Sequence, residues 1–164
     1  MIVGYCKGRG IGKKNTIPWD IPQDLKHFAK LTKGSSDKKN IIVMGRRTWE
    51  SLPKKPLPGR LNIILSNTIS LKEENIKTFS SFKEILSFYH SNQNLFGDLW
   101  ICGGYQVYKS ALDNKLIDNL YITYIDQVHD CDAFFPEVDL NQFTLQSITP
   151  LGVENCNIFH YSCK

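Results

Sequence analysis

No apolar stretch in these 164 residues approaches the roughly 20 that a membrane-spanning helix needs, so no membrane partner is expected. The opening residues, Met1-Ile2-Val3-Gly4-Tyr5-Cys6-Lys7, turn polar too soon for a secretory leader. Cysteine is present but unorganised. Cys6, Cys102, Cys131, Cys156 and Cys163 form no CxxC pair and no metal spacing, so reduced thiols in the cytoplasm are expected. His27, His90, His129 and His160 stand apart, and no metal site is expected. The chain also lacks a G-x-G-x-x-G fingerprint, a P-loop and a G-x-S-x-G elbow. Its charge excess is small, +4. The basic pairs Lys13-Lys14, Lys38-Lys39, Arg46-Arg47 and Lys54-Lys55 are scattered, a weak pattern for nucleic acid that suits small anionic ligands equally well. With no repeat, low-complexity tract or linker, residues 1–164 read as one domain.

What is present is an alternation of strands and helices. Ile2 to Tyr5 reads as a first strand, and Gly8-Arg9-Gly10-Ile11-Gly12 as a loop too glycine-rich for regular structure. Pro22 suits the first turn of a helix that runs to about Lys33 and stops at Gly34. Asn40 to Met44 is a β-branched run of the kind buried on both faces, followed by a helix from Arg46 to Leu52. Asn62 to Ser66 is another such strand. Ser81-Phe82-Lys83-Glu84 has capping-box spacing before a helix. Leu99 to Cys102, Tyr105 to Leu112 and Leu120 to Ile125 read as strand, helix and strand. Phe143 to Thr149 and Asn157 to Ser162 read as a terminal antiparallel pair. The pattern predicts an α/β fold, mainly parallel, with an antiparallel edge.

Asp24 is the most informative residue. Projected at 100° per position, it falls on one stripe with Phe28 and Leu31, flanked by Leu25, Ala29 and Thr32. Lys26, His27, Lys30 and Lys33 fall opposite. A carboxylate on an apolar stripe costs several kcal/mol, or about that, unless it is paired. The plain alternative is an acid favoured by the helix dipole. Trp19, just upstream, and the motifs below favour a functional acid.

Two strand-to-helix junctions have the makings of phosphate sites. Helix N-termini present free N–H groups, and glycine lets a ligand approach closely. Met44-Gly45-Arg46-Arg47-Thr48 adds two guanidiniums and a hydroxyl. Ile101-Cys102-Gly103-Gly104-Tyr105-Gln106-Val107-Tyr108 is the second. Each alone reads as a turn or a surface charge pair; together they point to a ligand with several phosphates.

The ordered set Ile11-Gly12, Ile17-Pro18-Trp19, Pro22-x-Asp24-Leu25-x-x-Phe28, Met44-Gly45-Arg46-x-Thr48-Trp49-Glu50-Ser51, Pro56-Leu57-Pro58-Gly59-Arg60-x-Asn62, Gly103-Gly104-x-x-Val107-Tyr108 and Thr123-x-Ile125-Asp126 resembles the dihydrofolate reductase family across essentially the whole chain. The resemblance implies a single eight-stranded, mostly parallel sheet with an antiparallel C-terminal edge and four flanking helices. It implies an enzyme in which NADPH reduces dihydrofolate, and antifolates as inhibitors; a monomer is expected.

The family's roles carry over by position. Asp24, Trp19 and Thr123 correspond to the catalytic group: the acid that binds the pterin, and the residues linked to it. Val3, Leu25, Phe28, Ser51, Leu52 and Leu57 correspond to the substrate walls, and Arg60 to the arginine on the glutamate α-carboxylate. The cofactor region takes in Gly4, Ile11, Gly12 and Ile17 on the mobile-loop side. It continues through Gly45, Arg46, Arg47, Thr48, Leu65, Ser66 and Asn67 toward the adenosine phosphates. Cys102, Gly103, Gly104, Tyr105, Gln106, Val107 and Tyr108 complete it, with the glycine pair joined by a cis peptide. Asp132 corresponds to a carboxylate that steadies the mobile loop.

This sequence departs from the family at Val3 and Gly4, where two alanines are usual, and at Tyr105, usually small. Arg47 stands where His or Lys is frequent. Two rival readings share the fold: a reductase of riboflavin synthesis, and a non-catalytic ligand- or RNA-binding relative. The set Asp24, Thr123, Arg60 and Gly103-Gly104 argues against both.

Overall fold

The computed structural model describes residues Met1–Lys164. Strands are β1 (Ile2–Cys6), β2 (Gly10–Gly12), β3 (Lys39–Gly45), β4 (Arg60–Leu65), β5 (Lys72–Glu73), β6 (Ile76–Phe79), β7 (Phe96–Ile101), β8 (Asn119–Ile125), β9 (Ala133–Phe134), β10 (Phe143–Pro150) and β11 (Cys156–Cys163). Four α-helices alternate with them: α1 (Pro22–Lys33), α2 (Arg46–Ser51), α3 (Phe82–Ser91) and α4 (Tyr105–Asp113).

The expected α/β architecture and the four helices are there. The single eight-stranded sheet is not. Hydrogen-bonded ladders form a five-stranded sheet, β5-β6-β4-β3-β7, a four-stranded sheet, β1-β8-β11-β10, and the small pair β2-β9. Parallel pairing holds for β3 with β4 and β7, β4 with β6, and β1 with β8. The remaining pairs are antiparallel. No ladder joins β7 to β1. Instead, the Tyr108 hydroxyl lies between the Ile2 carbonyl of β1 (2.9 Å) and the Cys102 carbonyl just past β7 (3.0 Å). A side chain thus meets carbonyls at the seam where a ladder would close the two sheets into one.

The β-branched runs explain the central strands. Ile41, Ile42 and Val43 of β3 and Ile63 and Ile64 of β4 have no exposed surface, because helices or loops cover both faces of the sheet. Each such side chain contributes about 1.5–3 kcal/mol of burial. Truncating Ile63 to Ala would cost about 2–5 kcal/mol.

The helix ends follow local chemistry. Pro22 opens α1, and Gly34 closes it at φ +67°, where a Cβ would stand 2.9 Å from Asn40 Nδ2. Ser81 accepts the Glu84 N–H at 3.2 Å, as the capping box predicts. The Glu84 carboxylate completes the turn on Ser80 rather than on Ser81. The glycine-rich segment after β1 is more ordered than expected. Lys7–Arg9 forms a 3-10 turn, and Gly10–Gly12 pairs with Ala133–Phe134, because backbone hydrogen bonding to a second loop offsets the entropy of the glycines. No helix is long and apolar enough to cross a membrane.

Candidate active site

Asp24 lies in the first turn of α1, half-buried, at the seam between the sheets. Its Oδ2 accepts the Trp19 indole N–H at 3.3 Å. A Cβ on Gly4 of β1 would stand 3.3 Å from the same oxygen, so the strand backbone approaches the carboxylate directly. Burial raises the Asp24 pKa above its ordinary value; the Trp19 hydrogen bond, the His27 charge and the Thr123 hydroxyl each pull it back down. Thr123, on β8, is 2% exposed. The acid does cap nothing: α1 has no side-chain cap hydrogen bond.

The predicted stripe of α1 holds for Asp24, Phe28, Ala29, Leu31 and Thr32, with Lys26, Lys30 and Lys33 outside, but Leu25 and His27 depart from it. Leu25 is 62% exposed, whereas His27 is half-buried and its Nε2 is enclosed with no hydrogen-bond partner. The helical projection gave no sign of this, because it describes the helix and not what packs against it. Leu25 instead faces open space, where the resemblance puts a substrate wall. Phe28, Leu31, Leu52 and Leu57 pack together around the second core cluster, and Val3 is buried in the first.

Arg60 begins β4 and is 2% exposed, with no carboxylate partner. Its Nε donates to the Pro58 carbonyl at 2.9 Å and its Nη1 to the Thr32 hydroxyl at 2.9 Å. Burial lowers its pKa. The Leu57 turn beside it is pinned by Asn62, whose side chain takes the Leu57 N–H and donates to the Leu57 carbonyl, both at 2.9 Å. Thr32 and Asn62 have supporting parts that pattern reading missed. A lone Asn inside the apolar run Leu61-Asn62-Ile63-Ile64 was the available signal.

Arg46 is exposed. Its Nε meets Glu50 Oε1 at 2.7 Å and its Nη1 meets the Thr68 hydroxyl at 2.9 Å. Ser66 stands 3.1 Å from Thr68. Arg46, Ser66 and Thr68 are therefore brought together, with Leu65 and Asn67 adjoining in sequence; Thr68 was not anticipated. Arg47 points elsewhere. With Ser51, Glu50, Lys14, Asn15 and Thr16 it lines a polar cavity of about 230 Å³. Ile17 beyond that loop is 53% exposed.

The second junction is tight. The Gly103-Gly104 peptide is cis, as the resemblance implied. A Cβ on Gly104 would meet Thr48 Oγ1 at 3.4 Å, and one on Gly45 would meet Val107 at 3.2 Å. The two helix starts, α2 and α4, face each other across this contact, and neither has a side-chain cap. Gly45 N–H reaches the Gly103 carbonyl at 2.8 Å. Cys102 is enclosed at its thiol, which burial pushes up to about 12. Val107 and Tyr108 are buried, while Tyr105 and Gln106 are exposed. On the loop side, Gly12 and Ile11 lie in β2, and the Asp132 carboxylate accepts the Lys14 N–H at 3.0 Å.

A half-buried acid against β1 and two facing, uncapped helix starts define a small α/β protein with a site suited to a phosphorylated ligand. The model of the family described as dihydrofolate reductase matches residues 1–163. The dihydrofolate reductase of Drosophila melanogaster is 37% identical over 178 aligned positions, which span this whole chain and 94% of that protein. That of Aedes albopictus is 39% identical, over 84% of this chain and 78% of the other. The bifunctional dihydrofolate reductase-thymidylate synthase 2 of Arabidopsis thaliana is 40% identical over 87% of this chain, which spans 27% of that longer protein. The chain belongs to the dihydrofolate reductase family. It is an oxidoreductase that binds dihydrofolate and uses NADPH to reduce it.

Proposed function

We propose that the seam between β1 and β7 receives the pterin ring of dihydrofolate, with Asp24 as its anchor and Trp19 and Thr123 as the groups that hold that anchor. The half-buried carboxylate beside Trp19 and Gly4 carries this reading. A pterin edge offers a ring N–H and an amino group side by side, which match the two oxygens of one carboxylate. An acid with a raised pKa shares a proton with such a ring readily and favours its protonated form. Asp24 orients the ring; a water carries the proton to N5.

Leu25, Phe28, Leu52 and Leu57 form the apolar walls along the substrate, with Val3 and Ser51 at its margins. Arg60 takes the α-carboxylate of the glutamate tail. Its buried, carboxylate-free guanidinium supports this, because such a charge calls for an anionic ligand.

The residues present fit NADPH. Glycines at Gly45 and Gly104 leave backbone N–H groups open at two helix starts, which suits a pyrophosphate. Arg46, Ser66 and Thr68 offer donors for a 2′-phosphate, with Leu65 and Asn67 beneath the adenosine, while Thr48 stands at the Gly104 turn and Arg47 faces the polar cavity beside Lys14. Gly4, Ile11, Gly12 and Ile17 line the nicotinamide end, opposite Cys102, Gly103, Tyr105, Gln106, Val107 and Tyr108. When bound, NADPH supplies the hydride for C6 of the substrate. The chain supplies orientation, and the Gly10–Trp19 segment excludes water.

The same reading makes residues 1–164 one catalytic domain, monomeric and cytoplasmic, that antifolates inhibit. Following NADPH absorbance with dihydrofolate, for the parent and for Asp24→Asn across pH, tests it. Near-normal turnover of the variant at neutral pH would remove Asp24 from catalysis.

A further inference from the structure

Two thiols beneath the Gly10–Thr16 segment take no part in this chemistry. Cys6 ends β1 and has no exposed surface; Cys131 precedes β9 and is half-buried. Their Sγ atoms lie 3.8 Å apart. Both press on Gly10, where a Cβ would collide with Cys131 Sγ and stand 2.9 Å from Cys6 Sγ. Gly10 has φ −66°, open to any residue, so the position needs glycine for the room the sulfurs occupy.

The two loops are already fastened on either side of the thiols. Asp132 N–H donates to the Gly12 carbonyl at 2.9 Å, and Phe135 N–H to the Arg9 carbonyl at 2.7 Å. Lys13 pairs with Asp130 at 3.2 Å. These bonds hold the sulfurs opposite one another.

We propose that Cys6 and Cys131 form a site of reversible thiol oxidation, whose disulfide ties the Cys131 loop covalently to the end of β1 beneath the Gly10–Thr16 segment. A disulfide spans about 2.05 Å, so the sulfurs close by roughly 1.8 Å. The loop residue Cys131 makes that movement more readily than Cys6, which is fixed in a strand.

The oxidant class is a small peroxide. The Cys131 thiolate attacks one peroxide oxygen, the O–O bond breaks, and hydroxide leaves and is protonated to water. Cys131 is then a sulfenic acid. The Cys6 thiolate attacks Cys131 Sγ, the S–O bond breaks, and a second water forms. Two thiols and one hydrogen peroxide give one disulfide and two waters. A dithiol reverses the reaction by returning two electrons.

Burial first, then Cys6 and Asp130, push the Cys131 thiol up to about 11, with the Gly12 backbone opposing. The other charges around the pocket are engaged: Lys13 with Asp130, Lys7 with Asp126, and Asp132 with the Lys14 N–H. The reactive thiolate is therefore scarce at neutral pH, and oxidation should speed up about tenfold per pH unit toward 11. Cys6 shares a core cluster with Trp19, so the tie bears on the Trp19–Asp24 end of the site.

The full chain is treated with hydrogen peroxide between pH 7 and 9 and followed by intact mass, peptide mapping and dihydrofolate turnover. The expected result is loss of two hydrogens, a Cys6–Cys131 linked peptide, and several-fold slower turnover, all reversed by dithiothreitol. Cys131→Ser and, independently, Cys6→Ala should prevent the link and keep the untreated turnover. Sulfinic acid at Cys131 without a link, or a link to Cys156, overturns the pair. A linked protein with unchanged turnover overturns its effect on the site. The turnover readout rests on the reductase reading, whereas the mass readout does not, so failure of one is distinguishable from failure of the other.

Discussion

Arg60 and Arg46 carry the same side chain, and the fold treats them in opposite ways. Arg60 is buried, anchored by Pro58 and Thr32, with no acid beside it. Arg46 is exposed and spends its charge on Glu50 at 2.7 Å. In the proposed reading the first is a preformed, unneutralised receptor held by neutral acceptors. The second would give up an ion pair to grip a phosphate. Exposed pairs of that kind are worth only about 0.2–1 kcal/mol, so the exchange is easy but its net gain is small. On that reading, preorganisation favours the Arg60 end over the Arg46 end.

The largest test of this contrast concerns the buried end. Asp24→Asn should lower kcat by about 10²-fold or more near neutral pH, the scale of a positioned acid-base group. Turnover should partly recover in acid, where solution supplies protonated substrate. A flat pH profile with full activity would make Asp24 structural.

Arg60→Leu should raise KM for dihydrofolate by roughly ten- to a hundred-fold, from a charge-assisted contact of about 1.5–3 kcal/mol. An antifolate without a glutamate tail should bind almost as before. Equal weakening of both ligands would mean that Arg60 only supports the Pro58 turn.

Arg46→Ala should be milder, with KM for NADPH rising less than tenfold and NADH use unchanged. Glu50→Gln sharpens the comparison. Freed of its competitor, Arg46 should hold NADPH more tightly, and the gain should shrink with added salt. If Glu50→Gln instead weakens NADPH, the ion pair orients Arg46 for binding.

The smallest effect is on stability. The folded pKa of Asp24 is raised above the ordinary 3.8, so the unfolded chain ionises first as pH rises. Its contribution to stability is unfavourable above the raised folded pKa and fades as pH falls to about 3.8. The denaturant midpoint of Asp24→Asn should therefore match or exceed the parent's at neutral pH, and this margin should vanish near pH 3.8. A margin that grows in acid would contradict the sign of the shift.

The fold was legible where periodicity was strong. The runs Asn40–Met44 and Leu120–Ile125 and the cap at Ser81 became β3, β8 and the start of α3. The short strands β5, β6 and β9 were not, because strands of two to four residues take their order from partners distant in sequence. Similarly, Asp24 and the two glycine junctions stood out in the sequence itself, whereas Arg60 was singled out only through the family resemblance. The burial of His27 and the exposure of Leu25 were not legible, because a helical projection knows the helix and not its neighbours. Glu50 beside Arg46 was readable as an i,i+4 pair. Thr68 needed the fold, since α2, a loop and the strand β4 separate it from Arg46 in the chain. The failure of the ladder between β7 and β1 left no trace in composition or period.

That seam gives Tyr108 a mechanical part. One phenol proton is shared between carbonyls that belong to different sheets. The side chain acts as a tie rod across the joint between the two sheets. It works together with the core shared by both sheets, in which Val3, Leu120 and Ile122 pack in one cluster with Ile41, Val43, Ile63 and Ile101.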